Sequence, residues 1–508
     1  MAAWRAPCAR PPASYYWDTC TGMNGLLHGS PVTEQSLVAG VDTSTQSVKV
    51  VVREADTGAW VREGRASHPD GTEVAPEEWW TAFGEACSGG LLDGVSAISI
   101  AGQQHGMVAL DESGDVVRPA LLWNDTRSAP DASDLVTELG GPAMWADAVG
   151  SVPVAAFTVS KVRWMARSEP DNAERTSTIM LPHDYLTWLL ADQPHEATTD
   201  RGDASGTGYW SPIEGEYRRD LMQLALGKDV QLPRVAGPDE TVGEVGGRAR
   251  SFLGIDGSSP IAIGPGTGDN MGAAFALEIA PGDVVVSLGT SGTAFAGSSQ
   301  PTKDPTGLVA GFADASGVFL PLVCTLNAAR ILTSTAELLG VDMESFAAVA
   351  LAAEPGAGGL VMLPYFDGER TPNLPDARGS LHGISRENLT PQNLARAAVE
   401  GMLGGLADAV DSLVDVGVQP SRVLVVGGAA SNPAVADVAA TLVDVPVQIP
   451  PAGEYVADGA ARQAAWILRG GEQPAWSDVR PGETVSRDPQ PVAQVREQYR
   501  QAREALYA

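Results

Sequence analysis

The chain has 508 residues, 44% hydrophobic and 19% charged, enough apolar material for more than one core-bearing domain. Its 63 acidic against 33 basic side chains give a formal net charge of −30. That leaves no cationic footprint for a nucleic-acid backbone and repels an anionic membrane surface. No apolar run reaches the roughly 18 residues of a transmembrane helix. The four cysteines, Cys8, Cys20, Cys87 and Cys324, lack metal-ligand spacing and fit a reduced, cytoplasmic compartment.

In chain order, residues 1–35 hold Arg5, Arg10, Pro11 and Pro12 but no apolar stretch of a secretory signal. They read as a disordered extension, with Met23 as an alternative start. Residues 37–52 (LVAGVDTSTQSVKVVV) are apolar, then hydroxyl-rich, then apolar again, which predicts a hairpin of two buried strands. Pro76, followed by Glu77, Glu78, Trp79 and Trp80, predicts a helix start, and residues 95–100 a strand. The glycine- and proline-rich stretch 254–268, with a short strand at 261–264, is the expected domain boundary. Residues 282–297 (GDVVVSLGTSGTAFAG) repeat the hairpin pattern about 245 residues downstream, which points to a duplicated fold with two large lobes. Further strands are expected at 360–363 and 422–426. Between them Thr390 caps and Pro391 opens a helix whose Leu394, Val399, Met402, Leu406, Val410 and Leu413 recur at helical spacing, with Gly417 as a stop. Strand and helix signals alternate throughout, so the fold class is α/β.

Several of these connections carry chemistry-bearing residues. The first tip, Asp42-Thr43-Ser44-Thr45-Gln46-Ser47-Val48-Lys49, is either a polar turn or a magnesium–phosphate site; Lys49 is one of only four lysines, with Lys161, Lys228 and Lys303. The second tip, 287–293, repeats that chemistry, and two facing tips can clamp a phosphate chain. Asp269, after Gly264-Pro265-Gly266-Thr267-Gly268, is either a helix N-cap or a general base for a substrate hydroxyl. In Gly102-Gln103-Gln104-His105-Gly106 and in Leu122-Trp123-Asn124-Asp125-Thr126-Arg127, amides, an imidazole and an indole can read polyol hydroxyls; His105 can equally be a structural partner. Residues 423–432 run from a strand through Gly427-Gly428 to Asn432, a nucleotide-contact geometry. No Gly-x-x-x-x-Gly-Lys-Ser/Thr loop is present.

Taken together in order, DTSTQSVK, GQQHG, LLWNDTR, LPHDYL, DASGTGYW, GTGDN, SLGTSGT, PYFDGERTP, VVGGAASN and DGAAR resemble the FGGY carbohydrate kinases over residues 37–471. GQQHG, DASGTGYW and the GERTP run lean toward the branch that acts on xylulose. The resemblance implies two actin-like (ribonuclease-H-like) lobes around a ligand cleft: residues 36–265 on the sugar side, 266–480 on the nucleotide side and a weakly ordered tail at 481–508. It implies a hinge-closing enzyme that uses ATP and Mg²⁺ to convert a ketopentose, D-xylulose, to its 5-phosphate. Ribulose or gluconate as substrate, and an actin-like binding module without catalysis, stand as alternatives. Carried over by position, Asp269 resembles the base and Asp42 the acid that organises magnesium. Gln104, His105 and Asn270 resemble sugar contacts; Thr43, Thr45, Gly289 and Thr290 phosphate contacts; Gly427, Gly428 and Asn432 adenosine-side contacts. Ser44 stands where the family has Gly, and Gln104 where the xylulose branch often has Met. The expected partners are the sugar and MgATP, with neither nucleic acid nor membrane and with a homodimer left open.

Overall fold

Each of the two apolar hairpins nucleates a sheet of its own. The computed structural model describes residues 36–476 and 480–507; the expectations for residues 1–35, including Cys8, Cys20 and Met23, lie outside it. β1 (Leu37–Thr43) turns through residues 44–46 into β2 (Ser47–Glu54), and the antiparallel ladder sets Asp42 opposite Lys49. β3 (Trp60–Ser67) extends the antiparallel side, and β4 (Val95–Gly102) runs parallel to β1 on the other. β5 (Gly243–Glu244) and β6 (Ala262–Ile263) complete the order β5-β6-β4-β1-β2-β3, while β7 (Thr267–Gly268) pairs with the end of β4.

The second sheet repeats this plan. β8 (Asp283–Leu288) and β9 (Gly292–Ala296) form its hairpin, with β10 (Ala310–Ala313) and β11 (Phe319–Thr325) on the antiparallel side. β12 (Arg422–Val426) lies parallel to β8, followed by β13 (Val447–Ile449) and β14 (Val485–Arg487), in the order β10-β11-β9-β8-β12-β13-β14. In both sheets a hairpin carries an antiparallel strand beyond its second member and a parallel strand beside its first.

Side-chain alternation assigns the two faces of β1. Ala39 and Val41 pack with Trp79 and Phe83, the latter two from the helix that opens at Pro76 as expected. Val38 packs with Ala97, Val51, Ala457 and Ala461 on the opposite face. Burial on both faces explains why β1 reads as a nearly unbroken apolar run.

Seven helices bear on the site: α1 (Pro182–Leu190), α2 (Arg201–Ser205), α3 (Asp269–Ala276), α4 (Pro391–Asp415), α5 (Pro433–Ala439), α6 (Tyr455–Arg469) and α7 (Ala493–Tyr507). The Thr390 hydroxyl accepts from Asn393 N at 3.2 Å and caps α4, whose Val399, Met402, Leu406 and Val410 pack with Val284, Val286, Val423 and Val425 of the second sheet. α6 reaches the first sheet instead. Gly40 on β1 lies so close to it that a Cβ would stand 2.0 Å from Ala457 O, and a Cβ on Gly459 would stand 1.9 Å from Gly272 O of α3.

One expectation changes. The stretch 254–268 is no clean boundary: β6 and β7 still belong to the first sheet, because Thr267 and Gly268 complete the β4 ladder, and the second sheet opens at Asp283. The tail expected at 481–508 carries regular structure among its described residues. β14 adds to the second sheet, and α7 buries Val495, Tyr499 and Ala502, with Tyr499 against Gly404 of α4.

Candidate active site

Both carboxylates singled out from the sequence sit where strands or turns end beside one cleft. Asp42 is the penultimate residue of β1, 2% exposed, with its Oδ1 bonded by the Ser44 hydroxyl and its Oδ2 3.5 Å from Lys49 Nζ. Burial raises its carboxyl above the ordinary value against the opposing pull of Lys49. Lys49 also donates to Glu454, just ahead of α6, at 2.6 Å.

Asp269 is the first residue of α3, and Gly268 occupies the cap position, so the carboxylate is no N-cap. Its Oδ1 accepts from Asn270 N at 2.7 Å and from Asn270 Nδ2 at 2.8 Å. Asp269 keeps a path to the cleft, yet the surrounding protein, with the Asp42 charge added, pushes its carboxyl up to about 7. A carboxylate poised there can accept a proton from an alcohol near neutral pH.

From Asp269 a strip of amides leads into the first half of the chain. Asn270 Nδ2 also donates to Gln104 Oε1 at 3.2 Å, and Thr293 of β9 donates to Asn270 Oδ1 at 3.4 Å. Asn270 thus joins the second hairpin to the Gln104 strip. Gln103 Nε2, Gln104 Nε2 and Asn124 Oδ1 are buried without a hydrogen-bond partner among the described residues. Buried amides are nearly always satisfied, so these unmet donors and this unmet acceptor are exceptions to the rule.

His105 lies next on this strip, at the unusual φ of +67°. Its Nδ1 bonds Gly206 O at 2.7 Å and its ring stacks on Phe157, centroids 4.9 Å apart. Burial, and then the Lys161 charge, drive it down to about 3, so the imidazole is neutral. Structural and functional readings coexist here: Nδ1 is engaged by the fold, which leaves Nε2 for a ligand. Gly206 is required at this place, since its Cβ would stand 2.7 Å from the ring.

At the hairpin tips, hydroxyls and backbone N–H groups differ in how far the fold has engaged them. Thr43 is fully buried, with its Oγ1 unpartnered. Thr45 Oγ1 accepts from Trp123 Nε1 at 2.8 Å and donates to Gln103 Oε1 at 3.4 Å, which ties the tip to the amide strip. The backbone N–H groups of residues 44–46 and 289–291, by contrast, donate no hydrogen bond among the described residues. Gly289 and Thr290 are exposed at the second tip. Successive free backbone N–H groups in a turn are the kind of donor set that suits an anion.

Gly427 and Gly428 follow β12 on the exposed surface, and Gly427 passes so near β8 that a Cβ would meet Leu288 O at 2.7 Å. Asn432, the third residue expected on the adenosine side, also has a place in the fold. It is 7% exposed and caps α5, its Oδ1 accepting from Ala434 N at 3.0 Å and its Nδ2 reaching Met343 O at 3.4 Å. Both ends of the amide are committed to the fold.

A buried polar cluster beneath Asp269 escaped the sequence reading. His183 on α1 bonds Asp203 Oδ2 through Nδ1 at 2.7 Å, and its Nε2 lies 3.2 Å from Asp184. Burial opposes its charge, but Asp184 and Asp203 outweigh that and hold it at about 9. Asp200 caps α2 and accepts from Thr267 Oγ1 at 3.1 Å, two residues ahead of Asp269. From the other side Gln463 of α6 clamps Gly266, accepting from its N at 3.1 Å and donating to its O at 3.0 Å. His183 and Asp184 lie inside the quoted motif LPHDYL, Asp203 inside DASGTGYW, and Gly266 and Thr267 inside GTGDN, whereas Asp200 and Gln463 fall outside every quoted motif, and nothing local says that they meet.

Comparison with known proteins bears on the family and the fold. The N-terminal domain of the FGGY family of carbohydrate kinases matches residues 37–276, and its C-terminal domain residues 284–468. A xylulose kinase of Streptomyces coelicolor is 47% identical over 444 residues, 86% of this chain and 89% of that protein. The crystal structure of xylulose kinase from Bifidobacterium adolescentis superposes with a TM-score of 0.84 at 44% identity, covering 92% of this chain and 99% of its own. A Plasmodium falciparum glycerol kinase structure with ADP, 18% identical, has a TM-score of 0.81 over 93% of this chain and 99% of its own, a likeness of fold alone. The duplicated sheets are therefore the two actin-like, ribonuclease-H-like halves of a sugar kinase, and the chain belongs to the FGGY family of carbohydrate kinases.

Proposed function

We propose that this chain transfers the γ-phosphoryl group of MgATP to the terminal hydroxyl of D-xylulose, giving D-xylulose 5-phosphate and ADP. The observation that carries the reading is the strip of unmet buried amides at Gln103, Gln104 and Asn124 leading to a carboxylate raised to about 7. The choice of sugar rests on kinship with xylulose kinases 47% and 44% identical.

In this reading Gln104, His105 and Asn270 hold the sugar hydroxyls, with the reacting one at Asp269. As the hydroxyl oxygen forms its bond to Pγ, the bond from Pγ to the β-bridging oxygen breaks, ADP departs and the hydroxyl proton passes to Asp269. The open N–H groups of residues 44–46 and 289–291 hold phosphate oxygens. Gly427 and Gly428 offer a flat backbone surface to the nucleoside. Magnesium arrives with the nucleotide as part of the substrate. The described residues hold no group of three or more His, Cys, Asp or Glu side chains suited to a metal. Mg²⁺ typically takes one or two carboxylates beside phosphate oxygens and water, and Asp42 suits that place. Lys49 balances the Asp42 charge in the meantime.

An ADP-release assay with MgATP against D-xylulose, D-ribulose, L-ribulose, glycerol and gluconate tests the proposal. The highest kcat/KM is expected for D-xylulose. A higher value for another polyol would reassign the substrate, and ATP binding without turnover on any of them would leave only a nucleotide-binding module.

A further inference from the structure

One motif stays outside the site as described so far: the GERTP run at residues 368–372 in the second half of the chain. Glu369 is 3% exposed and fully engaged. It accepts from Leu326 N at 2.7 Å, from Asn327 Nδ2 at 2.9 Å and from Arg370 N at 2.8 Å. The carboxylate thus anchors its own loop and offers nothing to the neighbouring guanidinium.

Arg370 is left over. Among the described arginines only the guanidinium groups of Arg65, Arg370 and Arg386 donate no hydrogen bond and join no ion pair, and of these Arg65 and Arg386 are exposed whereas Arg370 is half-buried. In a chain of net charge −30 a carboxylate for every guanidinium is easily found, so an unpaired one held in place is informative. It lines a narrow crevice with His105 and Phe157 from the first half of the chain and Phe312, Leu322 and Cys324 from the second. Its charge reaches both His105 and Lys161. In this crevice His105 and Arg370 are set among aliphatic and aromatic side chains.

Asn270 hydrogen-bonds both Asp269 and Gln104, His105 follows Gln104 in the chain, and His105 shares the crevice with Arg370. The reacting hydroxyl belongs at the Asp269 end, so the far end of the sugar faces His105 and Arg370. We propose that Arg370 is a substrate contact from the second half of the chain, donating to the oxygens at the non-reacting end of the ketose, the C1 hydroxyl and the C2 carbonyl. This rests on the ketose reading above. A planar guanidinium offers parallel donors that suit two adjacent oxygens, and because it comes from the opposite half to Gln104 and His105, it makes sugar binding depend on how the halves meet.

The test compares wild type with Arg370→Ala and Arg370→Lys, measuring KM and kcat for D-xylulose, for 1-deoxy-D-xylulose and for MgATP, with Tm alongside. Arg370→Ala should raise KM for D-xylulose roughly 10–100-fold, as for a lost charge-assisted hydrogen bond. It should leave KM for MgATP unchanged and erase most of the wild-type preference for D-xylulose over its 1-deoxy analogue, with Arg370→Lys in between. An unchanged KM for the sugar, or an equal rise for both sugars, overturns the proposal, as does a rise confined to MgATP. Should Arg370→Ala fail to fold, Arg370→Lys must still narrow the preference between the two sugars or the assignment falls. Failure of the ketose reading is separate and visible in the wild type, as turnover favouring another polyol. The same variants are then run on that polyol, where an unchanged KM counts against Arg370 as a sugar contact.

Discussion

At Asp269 stability and chemistry pull in opposite directions. Its carboxyl, ordinarily near 3.8, is held at about 7, so the folded protein binds that proton more tightly than the unfolded chain does. This contribution to stability is complete below about 4 and is lost as pH rises through about 7, where the ionised base must sit beside Asp42 without a compensating charge of its own. Asp269→Asn should therefore lower kcat by roughly 10²–10⁴ while raising Tm at pH 8 by about 1–4 °C. A Tm that falls at pH 8 would show that the charge is better compensated than its surroundings suggest. For the wild type, kcat/KM for the sugar should fall on the acid side with an apparent pKa near 7, since the protonated carboxyl accepts nothing. Asn in place of Asp should abolish that limb. The residue scale also shows the limit of a motif: Asp42, Asp269 and Gln104 were legible as polar groups at turn ends, whereas the Asn432 amide, in the same kind of setting, caps a helix.

Among the elements, α6 does most to fix the site. It lies on β1, which carries Asp42 next to its end, and on α3, which begins at Asp269, so it holds the two carboxylates relative to one another. The contacts are backbone on backbone, at Gly40 against Ala457 and at Gly459 against Gly272, with no room for a methyl group. Gln463 one turn later fixes the loop ahead of Asp269. Gly459→Ala forces the helices apart and should lower Tm by roughly 2–6 °C. It should also reduce kcat more than it changes KM for the sugar; an unchanged kcat would disconnect α6 from the placement of the base. At the opposite end of the chain, Tyr499 of α7 fills a space that Gly404 leaves on α4, with its hydroxyl 3.4 Å from that of Tyr365. Tyr499→Ala should lower Tm by about 4–10 °C without altering KM for either substrate. Sequence reading found α4 because cap, proline and periodicity all lie in one short window. It missed α7 because a tail of Gln, Arg and Glu looks solvated until its few apolar residues are seen against a partner.

Across the whole molecule, two sheets of one plan present two turns with open N–H groups, and Asn270 reaches from the start of α3 to both the Gln104 strip and Thr293. An ion pair also binds α6 to the first sheet, Asp458 accepting from Arg53 at 2.7 Å, and the same carboxylate accepts from Arg480, ahead of β14, at 2.9 Å. The charge of −30 acts on the two substrates differently. A neutral sugar is indifferent to it, whereas the nucleotide's anion is repelled at long range by an acidic surface. Raising ionic strength from about 10 to about 200 mM should increase kcat/KM for MgATP several-fold and leave kcat/KM for the sugar flat. A falling value for MgATP would mean that local cations, rather than the overall charge, govern its approach.

Two hairpins with small polar tips, the capped helix at 391–415 and the Asp-bearing turns follow from composition and spacing within windows of a dozen residues, and the sequence determined them alone. Their local interactions need no distant partner. Tertiary structure decided which polar atoms are free. It engaged Thr45 with Trp123 and Gln103, used Asn432 as a cap, closed His183 among Asp184, Asp200 and Asp203, and left Arg370 unpaired beside His105. Whether a donor or acceptor is available to a ligand depends on every group packed around it, and those groups come from segments hundreds of residues apart. A motif can name such a residue, but only packing determines whether its hydrogen-bonding capacity remains for the substrate.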